Sequence, residues 1–153
     1  RLCKQTEGIE KVALTTNGFN LARQVRDWAD AGLDALNVSV DSLDPRMFQL
    51  ITGHNKLQQV LDGIQLAQSS GIEQIKLNAV LMKGFNLPQF DQYLQWIKSQ
   101  SLTVRFIELM ETGDNKAFFN QQHVNGQSIK QRLLSQGWSP VIRDKLAGPA
   151  EEF

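Results

Sequence analysis

The sequence is poor in the residues that hold metals or close disulfides. One cysteine, Cys3, and two histidines, His54 and His123, stand among 153 residues. An internal disulfide is therefore excluded, and no metal-ligand spacing can be drawn. Cys3 reads as an incidental or half-buried thiol. Net charge is missing as well, since sixteen basic and sixteen acidic residues cancel. A balanced chain is not drawn to a polyanion, so nucleic acid is not expected as a partner, although a single phosphate site stays compatible. No apolar run approaches the roughly twenty residues that a membrane helix needs. Nor do these residues contain a charged-then-apolar leader pattern. The expectation is a cytoplasmic protein without membrane association. The chain opens on Arg1, in what reads as the tail of a helix, and closes soon after Gly148-Pro149, so an internal fragment is expected.

What is present is a fold pattern. Apolar residues make up 41% of the chain, enough for a real core at this length. Short apolar strands alternate with helical spacing, which predicts an α/β fold with a parallel sheet. Strands are expected over 11–16, 35–40, 75–81 and 103–109. Leu21, Val25 and Trp28 recur at helical spacing before Gly32, and Asp44-Pro45 caps a short helix over 46–52 that Gly53 ends. Leu57, Val60, Leu61, Ile64 and Ala67 form the stripe of a longer helix stopped by Gly71. Pro88 opens another, buried through Phe90, Leu94 and Ile97. Beyond Gly113 the cadence changes. Residues 114–126 are polar around Phe118-Phe119, 128–136 read as a helix and 138–143 as a strand. Two units are expected: a partial barrel domain over 1–113, and over 114–153 a linker with the start of a further region.

Strand parity sorts the side chains. Val12 and Leu14 oppose Ala13, Thr15 and Asn17; Leu36, Val38 and Val40 oppose Asn37, Ser39 and Asp41. Ile75, Leu77, Ala79 and Leu81 oppose Lys76, Asn78 and Val80. Strands of a doubly covered open sheet read as near-continuous apolar runs. Polar groups on one face of three successive strands instead predict an enclosed wet site, as in a barrel with helices outside and ligand groups at the carboxyl ends of the strands. Thr15, Asn17, Ser39, Asp41, Lys76 and Asn78 are such groups. Asn17 and Asp41, at strand ends, serve equally well as local turn and backbone partners. An inward lysine needs an anion. In the fourth strand Arg105 and Glu108 have opposite parity, so one of them points outward unless a bulge intervenes; parity leaves open which.

Six runs fall on these segments: LTTNGFNL from Leu14, LNVSVDSLD from Leu36, ITG from Ile51, VLDGI from Val60, IKLNAVLMKGFN from Ile75 and RFIELMETG from Arg105. In order and spacing they resemble the molybdenum cofactor biosynthesis protein A family, the GTP 3′,8-cyclases of the radical-SAM superfamily. The resemblance implies an incomplete (βα)6 TIM-like barrel, with this chain holding strands three to six and the start of a C-terminal extension. Members cleave S-adenosylmethionine at an amino-terminal 4Fe-4S cluster. The resulting deoxyadenosyl radical abstracts a ribose hydrogen from GTP, which rearranges to a cyclised pterin precursor. A second 4Fe-4S cluster, carboxy-terminal, helps bind the purine. Carried over by position, the resemblance implies that Thr15 and Lys76 contact GTP and that Ser39 and Met110 contact S-adenosylmethionine. Lysine suits a triphosphate as a compact charge with three donors. Met110 would act through its backbone beside adenine; on pattern alone it reads as core filler. Arg105 is a candidate for a phosphate or carboxylate.

The chain departs from that family's pattern in lacking the three-cysteine motif, the glycine-rich adenosylmethionine motif and the carboxy-terminal cysteines. One thiolate cannot hold a cluster that takes three or four. No catalytic residue and no metal ligand is therefore assigned, and these 153 residues alone are not expected to turn over. Two other readings compete: a lysine Schiff-base barrel enzyme built on Lys76, and a non-catalytic barrel module that binds a nucleotide or a partner. The first strand is expected to present an unpaired edge, where a homodimer would form.

Overall fold

Four parallel strands organise the chain, each pairing with the next in sequence. The computed structural model describes residues 1–142 and 150–153. After a single helical turn, α1 (Leu2–Gln5), come β1 (Ala13–Thr16), α2 (Leu21–Asp30), β2 (Ala35–Ser39), α3 (Pro45–Thr52) and α4 (Leu57–Gln68). Then follow β3 (Gln74–Leu81), a 3₁₀ turn (Leu87–Gln89), α5 (Phe90–Ile97) and β4 (Thr103–Glu108). Two helices, α6 (Lys116–Gln122) and α7 (Gly126–Ser135), close the order. Parallel neighbours linked by helical crossovers are the barrel-type pattern expected.

Local chemistry sets the joints. Asp44 caps α3 by accepting the Met47 amide at 2.8 Å, with Pro45 in the first turn and Gly53 in left-handed conformation (φ 75°) at its end. At the carboxyl end of β1, Gly18 adopts φ 77°. A Cβ there would meet Val60 Cγ1 at 2.7 Å, so this turn has no room for a side chain. Gly63 serves packing instead, since a Cβ on it would lie 2.8 Å from Leu21 Cβ where α2 and α4 meet.

The main core lies between the sheet and α2, α3 and α4. Leu21, Val25, Leu36, Val38, Val60 and Leu77 are fully buried there. A second cluster joins Leu81, Phe90 and Leu94 to Val124, Ile129 and Leu133 of the α6–α7 region. Val124 and helix α7 thus pack directly on the outer side of β3, β4 and α5. Helix α6 was not expected from its polar sequence; it packs through aromatic rings, Phe118 against Phe85 and Phe119 against His123. The strand expected over 138–143 does not form in 138–142. Pro140 has no amide to give a ladder, and the Ile142 side chain is fully exposed. Arg143 and Gly148-Pro149 lie outside the described residues. Cys3 is exposed rather than half-buried, because α1 buries no side chain. Among the described residues no helix is long and apolar enough to cross a membrane.

Candidate functional site

Residues in register on parallel strands point to the same side of a sheet. One rung runs Thr15–Asn37–Lys76–Thr103 and the next Ser39–Asn78–Arg105. All seven side chains therefore share the face opposite Leu36, Val38 and Leu77. Among the described residues, α2, α3 and α4 cover that apolar side. Thr15 is exposed, while Asn37, Ser39, Lys76, Asn78 and Arg105 are half-buried. Strands lie about 4.8 Å apart, so either rung spans roughly 10–15 Å, the scale of a nucleotide. The same-face placement of Thr15, Ser39 and Lys76 agrees with strand parity.

The register also decides between Arg105 and Glu108. Arg105 pairs with Asn78 on the polar face, whereas Glu108 pairs with Leu81 on the helix-covered face. There the Glu108 carboxylate accepts the Gly126 amide at 2.7 Å and lies 3.0 Å from His123 Nε2, fixing the start of α7. No bulge is needed. Phe106, on that same outer side, meets Phe90 and Tyr93 with ring centroids 4.8 and 5.7 Å apart.

Bonding on the polar face is sparse. Asn37 Nδ2 donates to Thr15 Oγ1 at 3.4 Å. Among the described residues the side chains of Ser39 and Arg105 make no hydrogen bond or ion pair, and Asn78 Oδ1 is buried without a donor. A buried acceptor left unpaired costs about 1–3 kcal/mol. Such a cost is what a face kept ready for a ligand carries. A hydroxyl, an amide and a guanidinium in one line can receive hydroxyl groups at one end and an anion at the other.

Two candidates turn out to serve the backbone. Asn17 Oδ1 accepts the Phe19 amide at 3.1 Å and shapes the turn after β1. Asp41 Oδ1 accepts the Val80 amide at 2.8 Å, and burial raises its pKa against the lowering effect of that bond. Met110 lies two residues past β4 with its side chain 75% exposed, so it is not core filler. Its carbonyl accepts from Asn115 Nδ2 at 3.0 Å, and the structure does not bring it onto the strand face with the others. Sequence reasoning missed Asn86 and Tyr93, which lie behind the face. Tyr93 follows Phe90 at helical spacing, a usable signal. Asn86 sits in a loop, where nothing in the pattern marks it.

The residues suit organic, nucleotide-sized ligands of the GTP and S-adenosylmethionine kind. They do not suit an iron–sulfur cluster: among the described residues no group of three or more His, Cys, Asp or Glu side chains could hold a metal ion.

Comparison with known proteins follows the same segments. A protein from Aeromonas hydrophila named GTP 3′,8-cyclase is 54% identical over 148 residues, covering 97% of this chain and 43% of that protein. Relatives of the same name from Actinobacillus pleuropneumoniae and Haemophilus ducreyi are 54% and 52% identical over 147 residues, each covering 96% of this chain and 43% of the relative. The chain thus spans less than half the length of the curated relatives it matches. The family model described as Radical SAM superfamily matches residues 1–97. With four parallel strands, helices on one side and an open polar face on the other, the chain belongs to the Radical SAM superfamily.

Proposed function

We propose that this chain is the substrate-contacting middle of a GTP 3′,8-cyclase, the enzyme that converts GTP to the cyclised pterin precursor in molybdenum cofactor synthesis. The observation that carries the reading is identity above half across nearly the whole chain to proteins of that name. Thr15 and Lys76, on one rung, bind GTP, with the ammonium of Lys76 on the triphosphate. Ser39, one rung further toward the carboxyl ends, and the backbone of Met110 bind S-adenosylmethionine. Arg105 receives a phosphate or a carboxylate. S-Adenosylmethionine, when bound, would supply the one-electron chemistry; the residues of this chain bind and orient the two ligands and keep the space between them. Both clusters are assigned to residues outside these 153, residues 114–153 to the start of the C-terminal cluster-binding region, and the whole protein to the cytoplasm. The open edge of β1 is the proposed contact of a homodimer.

A pair of variants tests the assignment. Lys76→Ala should weaken GTP binding by about 1.5–3 kcal/mol, the range for hydrogen bonds to charged groups. That is about a ten- to hundred-fold rise in Kd by calorimetry. S-Adenosylmethionine binding should stay unchanged. Ser39→Ala should show the reverse pattern with a smaller effect. Equal losses for both ligands, with a drop in Tm, would make Lys76 a structural residue and reject its role at the triphosphate.

A further inference from the structure

Strands β2 and β3 part abruptly, and side chains do it. The Val40 amide donates to the Asn78 carbonyl at 2.9 Å, continuing the ladder one step past Ser39. In a parallel ladder the next bond should run from the Val80 amide to the Val40 carbonyl. It does not form. The Val80 amide donates to Asp41 Oδ1 at 2.8 Å, and the Val40 carbonyl accepts the Tyr93 hydroxyl at 2.7 Å. Asn86, fully buried, fills the fork: its Nδ2 donates to the carbonyls of Asp41 and Val80, both at 2.7 Å, and its Oδ1 accepts the Met82 amide at 2.8 Å. Meanwhile β3 stays paired with β4 through Leu81 and Glu108. The fork is therefore local to β2 and β3, and it opens directly above Ser39 and Asn78.

We infer that Asp41 and Tyr93 are positioning residues that replace one ladder bond with two side-chain bonds, fixing where β2 leaves the sheet and holding the Ser39–Asn78 pair open for its ligand. The Val80 amide and the carbonyls of Val40, Asp41 and Val80 each keep a partner, so these groups are not left unsatisfied by the split. Burial, then the nearby Asp41 charge, pushes the Tyr93 pKa far up, so its hydroxyl stays neutral and donates to the Val40 carbonyl. The inference rests on the reading of Ser39 as a contact to S-adenosylmethionine. It predicts that damage at the fork reaches that ligand before it reaches GTP, whose proposed contacts lie one rung below on Thr15 and Lys76.

The test follows amide exchange and ligand binding in the full chain. With Tyr93 still on the Val40 carbonyl, Asp41→Ala leaves the Val80 amide without an acceptor. Its hydrogen exchange should speed up by about tenfold relative to the Val40 amide, the loss of one hydrogen bond to a charged group. The Kd for S-adenosylmethionine should rise by about tenfold, with GTP binding unchanged. Asp41→Asn keeps an accepting oxygen and should restore both. Tyr93→Phe, a mild change, frees the Val40 carbonyl to re-pair with Val80, and should weaken S-adenosylmethionine selectively by a smaller factor. Unchanged Val80 exchange in Asp41→Ala, equal weakening of both ligands, or an Asp41→Asn variant as impaired as Asp41→Ala would each overturn the positioning role. A wild-type chain that binds neither ligand would overturn the ligand reading and the positioning role with it; Val80 exchange would still report whether the fork depends on Asp41.

Discussion

The two sides of one sheet obey opposite rules. Toward the helices, Leu36, Val38, Leu77 and Ala79 are fully buried, and where charge occurs on that side it is bonded, as Glu108 is to Gly126 and His123. Toward the open side, Ser39, Asn78 and Arg105 lie half-buried in one rung without side-chain partners among the described residues. Both sides are carried by the same strands, alternating residue by residue. One side maximises burial and satisfaction. The other holds hydrogen-bonding capacity in reserve, which a protein keeps only where function repays the lost stability.

Substitutions on the two sides should therefore move stability in opposite directions. The largest effect belongs to the covered side. Leu77→Ala removes a fully buried side chain between Val38 and Val104, and should lower unfolding free energy by about 2–5 kcal/mol in urea titration. A loss well under that would mean the core relaxes around the cavity and the covered side is less tightly packed. The smaller effect belongs to the open side. Asn78→Val removes the unpaired buried Oδ1 and adds a strand-favouring side chain, so it should raise stability by about 1 kcal/mol without ligand. Destabilisation there would show that Asn78 already serves the fold, and would erase the contrast.

Much of the contrast could be read from the sequence, because period-two alternation is a local property. The polar residues of β1 to β3 fell on the expected side, and the Asp44-Pro45 cap and the terminating glycines worked as their chemistry requires. Parity within one strand could not choose between Arg105 and Glu108; pairing with Asn78 and Leu81 could, since register is a relation between strands. For Asn17 and Asp41 a ligand role and a backbone role were equally open in the sequence; both bond backbone amides, an outcome set by how the strand ends bend. Asn86 and Tyr93 stayed hidden for the same reason, as their partners are carbonyls 45 and 53 residues away in sequence. Helix α6 escaped because its apolar contacts come from Phe85 on a distant loop.

The most direct test maps where GTP lands. Backbone amides of the isotopically labelled chain are followed by NMR while GTP is added. Thr15, Asn37, Lys76 and Thr103, which share one rung, should move first and saturate together, with α2 and α4 behind the sheet unmoved. Shifts confined to α2 and α4, or spread evenly over both sides, would contradict a nucleotide site on the open face.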